Sequence, residues 1–324
     1  MSLDHILSII KSDLEEVEHR LEEYLSSDSS LIYQVSQYLL ERKGKRMRPA
    51  LVFLSFGEDD SSQKNKVLDA AVAIELIHTA TLLHDDVIDQ SSTRRGKASV
   101  NYRWSNLVSV LMGDYLLAKA FRILVNVRIP SLLEAISRAT ERVSLGELLQ
   151  IQERGNYNLS EDLYLKIISN KTASLFSVAC KSGAVIRDAD VKTQNIYQQF
   201  GEKFGISFQI IDDLLDLVGD REKTGKELGN DLQEGKFTLP LIYALANSGD
   251  GTREKIVRVL KEGYKPEHFP EILSFVQREG GVEYSRKRAW DFGDEAVKII
   301  SELDGSEYKE ALQELVDFVL TREK

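Results

Sequence analysis

Six aspartates in two identical groups, Asp85-Asp86-Val-Ile-Asp89 and Asp212-Asp213-Leu-Leu-Asp216, are the residues best placed to do chemistry. At about 100° per helical residue, Asp85, Asp89 and Asp86 fall at about 0°, 40° and 100°, one narrow arc. His78, two turns earlier, lies at about 20° on that arc. In the second group Gln209 sits at about 60°, inside the carboxylate arc. Three acids on one helix face repel each other, so an apolar helix selected for stability alone would avoid them. A divalent cation reverses that balance. Oxygen-only ligands suit Mg²⁺, which takes one or two carboxylates and completes its shell with waters and substrate phosphates. One such group alone is usually a solvated helix end. Two copies, each closing an apolar run, predict facing helices whose carboxylates hold Mg²⁺ against a diphosphate.

Cations stand near both groups. Arg42-Lys-Gly-Lys-Arg-Met-Arg48 packs five into seven residues, followed by Pro49. A basic helix end complementing the dipole is the plain reading. The glycine and proline, however, shape the backbone as an anion site requires, aiming Lys45 and Arg48 at a phosphate. Arg94, Arg95 and Lys97 follow Asp89 by one short loop, either neutralising the acids or binding an anion beside them. His78 is a packed histidine or a ligand to the same anion. Lys171-Thr172 interrupts an apolar helix, where the lysine either snorkels outward or faces a diphosphate. Lys226 and Lys236 flank a glycine-rich segment placed to fold over the second acidic group as a lid.

The elements that must position these residues read as helices throughout. Leu3, Leu7, Ile10, Leu14, Val17, Leu21 and Tyr24 form an amphipathic seam, and Ser26–Ser30 breaks it with Asp28 or a neighbouring serine as the next cap. Gly44 is expected to stop the second helix, and Pro49 suits the first turn of a third. The acid-bearing helix is expected over residues 64–89, with further helices at roughly 106–126, 131–154, 160–183 and 189–218, Gly183 acting as a stop. Residues 219–236 read as a functional loop, and 237–324 as three or four amphipathic helices. No segment keeps a period of two, so strands should be essentially absent. With five prolines and no Gly/Ser-rich linker, residues 1–324 are expected to form one all-α domain.

A net charge of −10 argues against a nucleic-acid partner. The single cysteine, Cys180, lies in an apolar helical context and reads as core filler. Acids interrupt the apolar residues from Asp4 onward, unlike a signal peptide. No run of about 18 consecutive apolar residues marks a transmembrane segment, so a cytoplasmic protein is expected.

Lys45-Arg-Met-Arg-Pro49, His84-Asp-Asp-Val-Ile-Asp89, Arg94-Arg-Gly-Lys97, Lys171-Thr172, Gln209-Ile-Ile-Asp-Asp-Leu-Leu-Asp216 and Gly235-Lys-Phe-Thr-Leu-Pro240 occur in that order. Together they resemble the motifs of the trans-prenyltransferases, the all-trans polyprenyl diphosphate synthases. The match covers nearly the whole chain. Its length and the wording Ile77-His-Thr-Ala-Thr-Leu-Leu-His84 are most similar to octaprenyl diphosphate synthases. Gln90-Ser-Ser-Thr93 departs from the acidic start usual before the paired arginines.

The resemblance implies a large helical bundle of the isoprenoid synthase type, a homodimer with a central active-site cavity in each subunit. It implies an enzyme that condenses an allylic diphosphate, such as farnesyl diphosphate, with successive isopentenyl diphosphates into a long chain, a quinone side-chain precursor. Lys45, Arg48, His78 and Arg95 would hold isopentenyl diphosphate. Arg94, Lys171, Thr172, Gln209 and Lys226, with Lys236, would grip the allylic diphosphate. Asp85, Asp89 and Asp212 would carry Mg²⁺, three ions per site with substrate bound, and Asp86, Asp213 and Asp216 complete the catalytic acids. The family gates chain length at the fifth residue before the first acid, here Ala80, with Ile77 and Thr81 beside it. Geometry places Thr81 on the acid-bearing face and does not place Ala80 there. The alternatives are a geranylgeranyl or farnesyl diphosphate synthase, a class I terpene cyclase, or a non-catalytic helical partner subunit. A cyclase typically carries an Asn/Asp-Ser/Thr-Glu pattern where this chain has its second full aspartate group.

Overall fold

The structure, a computed structural model, describes residues 2–41, 44–57, 62–94, 96–219 and 228–322. It is an all-α bundle, as expected. Its principal helices are α1 (Lys11–Leu25), α2 (Ser30–Leu40), α3 (Met47–Phe56), α4 (Lys64–Ile88), α5 (Asn106–Val127), α6 (Pro130–Gln152), α7 (Glu161–Ile168), α8 (Ser174–Ile186), α9 (Val191–Val218), α10 (Leu239–Asn247), α11 (Asp250–Lys261), α12 (Phe269–Arg278), α13 (Gly281–Ile300) and α14 (Glu307–Thr321). Among the described residues the sheet structure is one two-residue antiparallel ladder, β1 (Thr93–Arg94) with β2 (Lys97–Ala98), pairing Arg94 with Lys97. Contacts group the chain into two compact units, one of 1–140, 175–201 and 300–315, the other of 141–174, 202–299 and 316–324.

The first unit is built on α4. Val67, Leu68, Ala70 to Ile74, Leu76, Ile77, Ala80 and Leu83 are all buried, so the helix is apolar on nearly every side, as a core helix must be. By length and composition it is apolar enough to cross a membrane, with mean hydropathy 1.4, but 67% of that window is buried in the fold. It packs against α3 and α5. Gly113 of α5 meets the His84 ring so closely that a Cβ there would lie 2.3 Å from Nε2. Gly183 does not stop a helix, as its residue type had implied. It lies inside α8, where a Cβ would come within 2.2 Å of the Val52 carbonyl oxygen. The glycine is there for close packing rather than termination. The N-terminal seam is also less regular than its spacing implied, running through a four-residue helix and a 3₁₀ turn before α1 begins. Ser29 is the N-cap residue of α2.

In the second unit the C-terminal half of α9 carries the second acidic group. Its residues 237–300 form α10 to α13, divided at Gly249 and at the 3₁₀ turn Pro266–His268. With α14 that makes five helices where three or four were expected, because short breaks are invisible in amphipathic periodicity alone. Tyr243 and Tyr284 stack at 3.9 Å, and Gly281 lets α13 start against the Pro240 carbonyl.

Candidate active site

In the first acidic group the three aspartates part company. Asp86 is 2% exposed, and the Arg94 Nε donates to its Oδ1 at 2.7 Å. The small ladder that follows α4 turns Arg94 back onto the helix it has just left, and Tyr38 secures that ladder by donating to the Ala98 carbonyl at 2.8 Å. Asn101 donates to the carbonyls of Asp86 and Ser91 and closes the loop. Asp85 and Asp89 are only half-buried. The arc of three thus resolves into one buried, ion-paired acid and two outer acids. Lys97 turns away to Glu41 at 3.5 Å. Arg95 lies outside the described residues.

The basic cluster also divides. Lys45 is exposed, while Arg46 turns inward. Its Nε donates to Glu18 at 2.5 Å and its Nη1 to Glu75 at 2.6 Å. Burial opposes the Arg46 charge, but the two carboxylates outweigh it and raise the pKa above its ordinary value. Arg46 takes a left-handed backbone (φ 49°) at the start of α3, a conformation uncommon outside glycine, and the two ion pairs hold it there. The guanidinium of Arg48 lies 4.4 Å over the Phe176 ring. His78, Arg46, Glu75, Asp86 and Arg94 share the lining of a small cavity of about 50 Å³. The expected joining of His78 to the acid-bearing face is therefore met at Asp86. Arg42 and Lys43 lie outside the described residues.

The second group repeats the division with different partners. Asp213 is buried and accepts from the Tyr164 hydroxyl at 2.6 Å and from Gln209 Nε2 at 2.7 Å. Burial pushes its pKa up to about 7, with help from Asp212 and Asp216, against the two hydrogen bonds. Asp212 is half-exposed and meets Arg322 at 3.4 Å. Asp216 accepts from the backbone N–H of Asp231 at 3.2 Å. Burial raises Asp231 well above the carboxylate range, with Asp216 and Asp213 adding to it. Lys236 pairs with Glu234 at 2.5 Å, and its backbone N–H donates to the Asp231 carbonyl. Lys226 lies outside the described residues.

Lys171-Thr172 sits in a π-helical turn, Ser169–Ala173, rather than in the regular helix expected over 160–183. The turn adds a residue between α7 and α8 and re-aims the side chains that follow. Thr172 donates to Gln209 Oε1 at 2.7 Å, so Thr172, Gln209, Asp213 and Tyr164 form one chain of hydrogen bonds. Lys171 pairs with Glu147 and donates to Gln150 Oε1 at 2.7 Å.

Residues 29–276 match the polyprenyl synthetase family profile. The chain belongs to that family. As a polyprenyl synthetase it is a prenyltransferase of isoprenoid biosynthesis. It is 38% identical over 320 residues to the all-trans-nonaprenyl-diphosphate synthase (geranyl-diphosphate specific) of Rhodobacter capsulatus, covering 98% of this chain and 97% of that one. It is 34% identical to the octaprenyl diphosphate synthase of Escherichia coli over the full length of both. Its fold superposes with a TM-score of 0.93 and 35% identity on a polyprenyl synthase from Caulobacter crescentus solved with calcium and isoprenyl diphosphate, covering 100% of this chain and 98% of that one.

The donor set of this synthetase suits Mg²⁺. Asp85, Asp89 and Asp212 are hard oxygen donors with solvent access, and Asp86 and Asp213 are buried. Among the described residues no three potential ligands gather closely enough to hold a metal by themselves. Ile77 and Ala80 are fully buried, and Thr81 spends its hydroxyl on the His78 carbonyl at 2.8 Å. Sequence reasoning missed Tyr164, Glu147, Gln150, Arg142, Glu202 and Arg322. Tyr164 and Glu147 carried a faint signal, as polar residues on otherwise apolar faces. Arg322 carried none, since its contact with Asp212 joins positions 110 apart.

Proposed function

We propose that this chain elongates an allylic diphosphate with isopentenyl diphosphate to a long all-trans polyprenyl diphosphate, octaprenyl by preference, with hexaprenyl to decaprenyl as the range. One observation carries the long-chain reading. A fully buried alanine stands at the fifth residue before Asp85, in a chain that aligns nearly end to end with long-chain synthases. A large side chain at such a gate would close the space a growing product needs, and alanine leaves it open. Residues 1–324 act as one catalytic domain in this reading.

Lys45, Arg48, His78 and Arg95 bind the diphosphate of isopentenyl diphosphate. Arg94, Lys171, Thr172, Gln209, Lys226 and Lys236 bind that of the allylic substrate, farnesyl diphosphate being one such starter. Lys171 must then leave Glu147 and Gln150 to reach it, an exchange of one charge-assisted contact for another. Asp85, Asp89 and Asp212 would hold Mg²⁺, three ions per site with substrate bound, and the metal would supply positive charge to the departing diphosphate. The cations of this chain stabilise the same developing charge as the allylic C–O bond breaks. Apolar helix faces keep water from the allylic cation. The isopentenyl double bond then attacks that cation, and the proton lost on forming the new double bond goes to the released diphosphate.

The working form is a cytoplasmic homodimer, without nucleic acid. Exposed Leu107, Val110 and Leu111 on α5 recur at helical spacing, as do Leu145, Leu148 and Ile151 on α6. Sedimentation at micromolar concentration should give twice the chain mass.

The test of function is incubation with farnesyl diphosphate, isopentenyl diphosphate and Mg²⁺, followed by separation of the dephosphorylated products by chain length. A linear long-chain product is expected. A cyclised hydrocarbon or no product would refute the reading. Ala80→Phe should still consume substrate but stop near farnesyl or geranylgeranyl, and an unchanged product distribution would remove Ala80 from the gate. Arg48→Ala should raise the KM for isopentenyl diphosphate, and an unchanged KM would return the basic cluster to a structural role.

A further inference from the structure

Behind Lys171 and Thr172 lies a cluster of polar groups that touches neither acidic motif. The Arg142 guanidinium on α6 spends all three nitrogens on the π-helical turn and on α9. Its Nε donates to Asn170 Oδ1 at 3.0 Å. Its Nη2 donates to the Ser169 carbonyl at 3.2 Å, to Ser169 Oγ at 2.9 Å and to Glu202 Oε1 at 2.7 Å. Its Nη1 donates to Glu202 Oε2 at 3.2 Å, which completes a two-pronged pair with that carboxylate. Ser169 Oγ itself donates to Glu202 Oε1 at 2.5 Å. One turn further along α6, Gly146 brings the helix backbone against the turn, and a Cβ there would lie 2.4 Å from the Lys171 nitrogen.

A π-helical turn is rare and appears mostly as a single-turn bulge inside α-helices, frequently at functional sites. Here the turn is met by a planar, rigid fork of donors that bonds Ser169, Asn170 and Glu202 together. Glu202 also belongs to α9, two turns before Gln209, which accepts the Thr172 hydroxyl. The clamp therefore ties the turn that carries Lys171 and Thr172 to the helix that carries Asp212 and Asp213. We propose that Arg142 and Glu202 are positioning residues, which hold Ser169–Ala173 in its π-helical form so that Lys171 and Thr172 face the allylic diphosphate. This rests on the assignment of Lys171 and Thr172 to that diphosphate. A lysine could keep the charge at position 142 but not the fork, so shape as well as charge is required.

The full-length enzyme would be assayed with farnesyl diphosphate varied at saturating isopentenyl diphosphate, then the reverse, alongside a thermal melt. Arg142→Met and Glu202→Gln are expected to raise the KM for farnesyl diphosphate by about tenfold or more and to leave that for isopentenyl diphosphate within about twofold. Arg142→Lys is expected between them and the parent enzyme. It keeps the test open should Arg142→Met fail to fold. A lowered melting temperature with both KM values unchanged would show a merely structural clamp and overturn the proposal, as would equal rises in both. Lys171→Ala separates the two levels. If it raises the farnesyl diphosphate KM while the Arg142 and Glu202 variants do not, the positioning role alone fails. If Lys171→Ala also leaves that KM unchanged, the underlying assignment fails and takes the proposal with it.

Discussion

Asp86 and Asp213 are the middle acids of two groups with identical spacing, and both are buried, yet they are tolerated by different means. Asp86 is met by a cation, Arg94, delivered by a two-residue ladder. Asp213 is met by the neutral donors Tyr164 and Gln209. A guanidinium facing a buried carboxylate offsets part of its desolvation with opposite charge. A carboxylate facing only neutral donors still bears most of the desolvation cost, and Asp213 is accordingly pushed up to about 7. The outer acids of both groups keep access to solvent, Asp212 more than the others. Identical sequence spacing thus supports one outward chemistry and two inward solutions.

The largest effects should come from the outer acids. Asp85→Asn and Asp212→Asn should each lose at least about 100-fold in kcat while retaining a cooperative melt, because charge beside the leaving group is removed and repulsion is relieved. Near-native turnover in either variant would exclude that group from the metal site.

The middle acids should then separate in stability. Asp86→Asn strands Arg94 and should cost about 1–3 kcal/mol in urea unfolding at pH 8. Asp213→Asn should be neutral or stabilising there, since it removes a charge that burial disfavours while Tyr164 and Gln209 can still bond the amide. Equal losses would erase the distinction.

In EDTA-treated protein, the contribution of Asp213 to stability should fall as pH rises from about 4 to 7 and level off above, with a slope of at most about 1.4 kcal/mol per pH unit. Asp231 should add a fall in the same direction. The sign follows because the native state keeps a proton over that range that the unfolded chain has released. Urea midpoints across that range should show the slope in the parent and a reduced one in Asp213→Asn. The smallest change belongs to Tyr164→Phe, expected to cost about 0.5–1.5 kcal/mol. Losing a bond that lowers the Asp213 pKa should also carry the fall in stability to higher pH.

Most helix positions were legible because they depend on local spacing. α4 illustrates this. Its apolar run and terminal acids specify a buried helix with a chemical end, and it spans Lys64–Ile88 against an expected 64–89. Legibility ended where distant segments meet. The cluster around Arg42–Arg48 read as one basic patch, yet Arg46 belongs to Glu18 and Glu75, which lie 28 and 29 residues away on either side. Gly183 read as a stop, yet its neighbour is Val52.

By itself, the sequence determined the helical class and the family, since periodicity and motif chemistry are properties of short segments. Only the tertiary structure decided which acid of each group is buried, which arginine turns inward, and that Lys171 stands on a π-helical turn clamped by Arg142 and Glu202. Helical period tells which face a residue occupies. How deeply that face is desolvated, and which charge or donor meets it there, depends on groups brought together from across the chain.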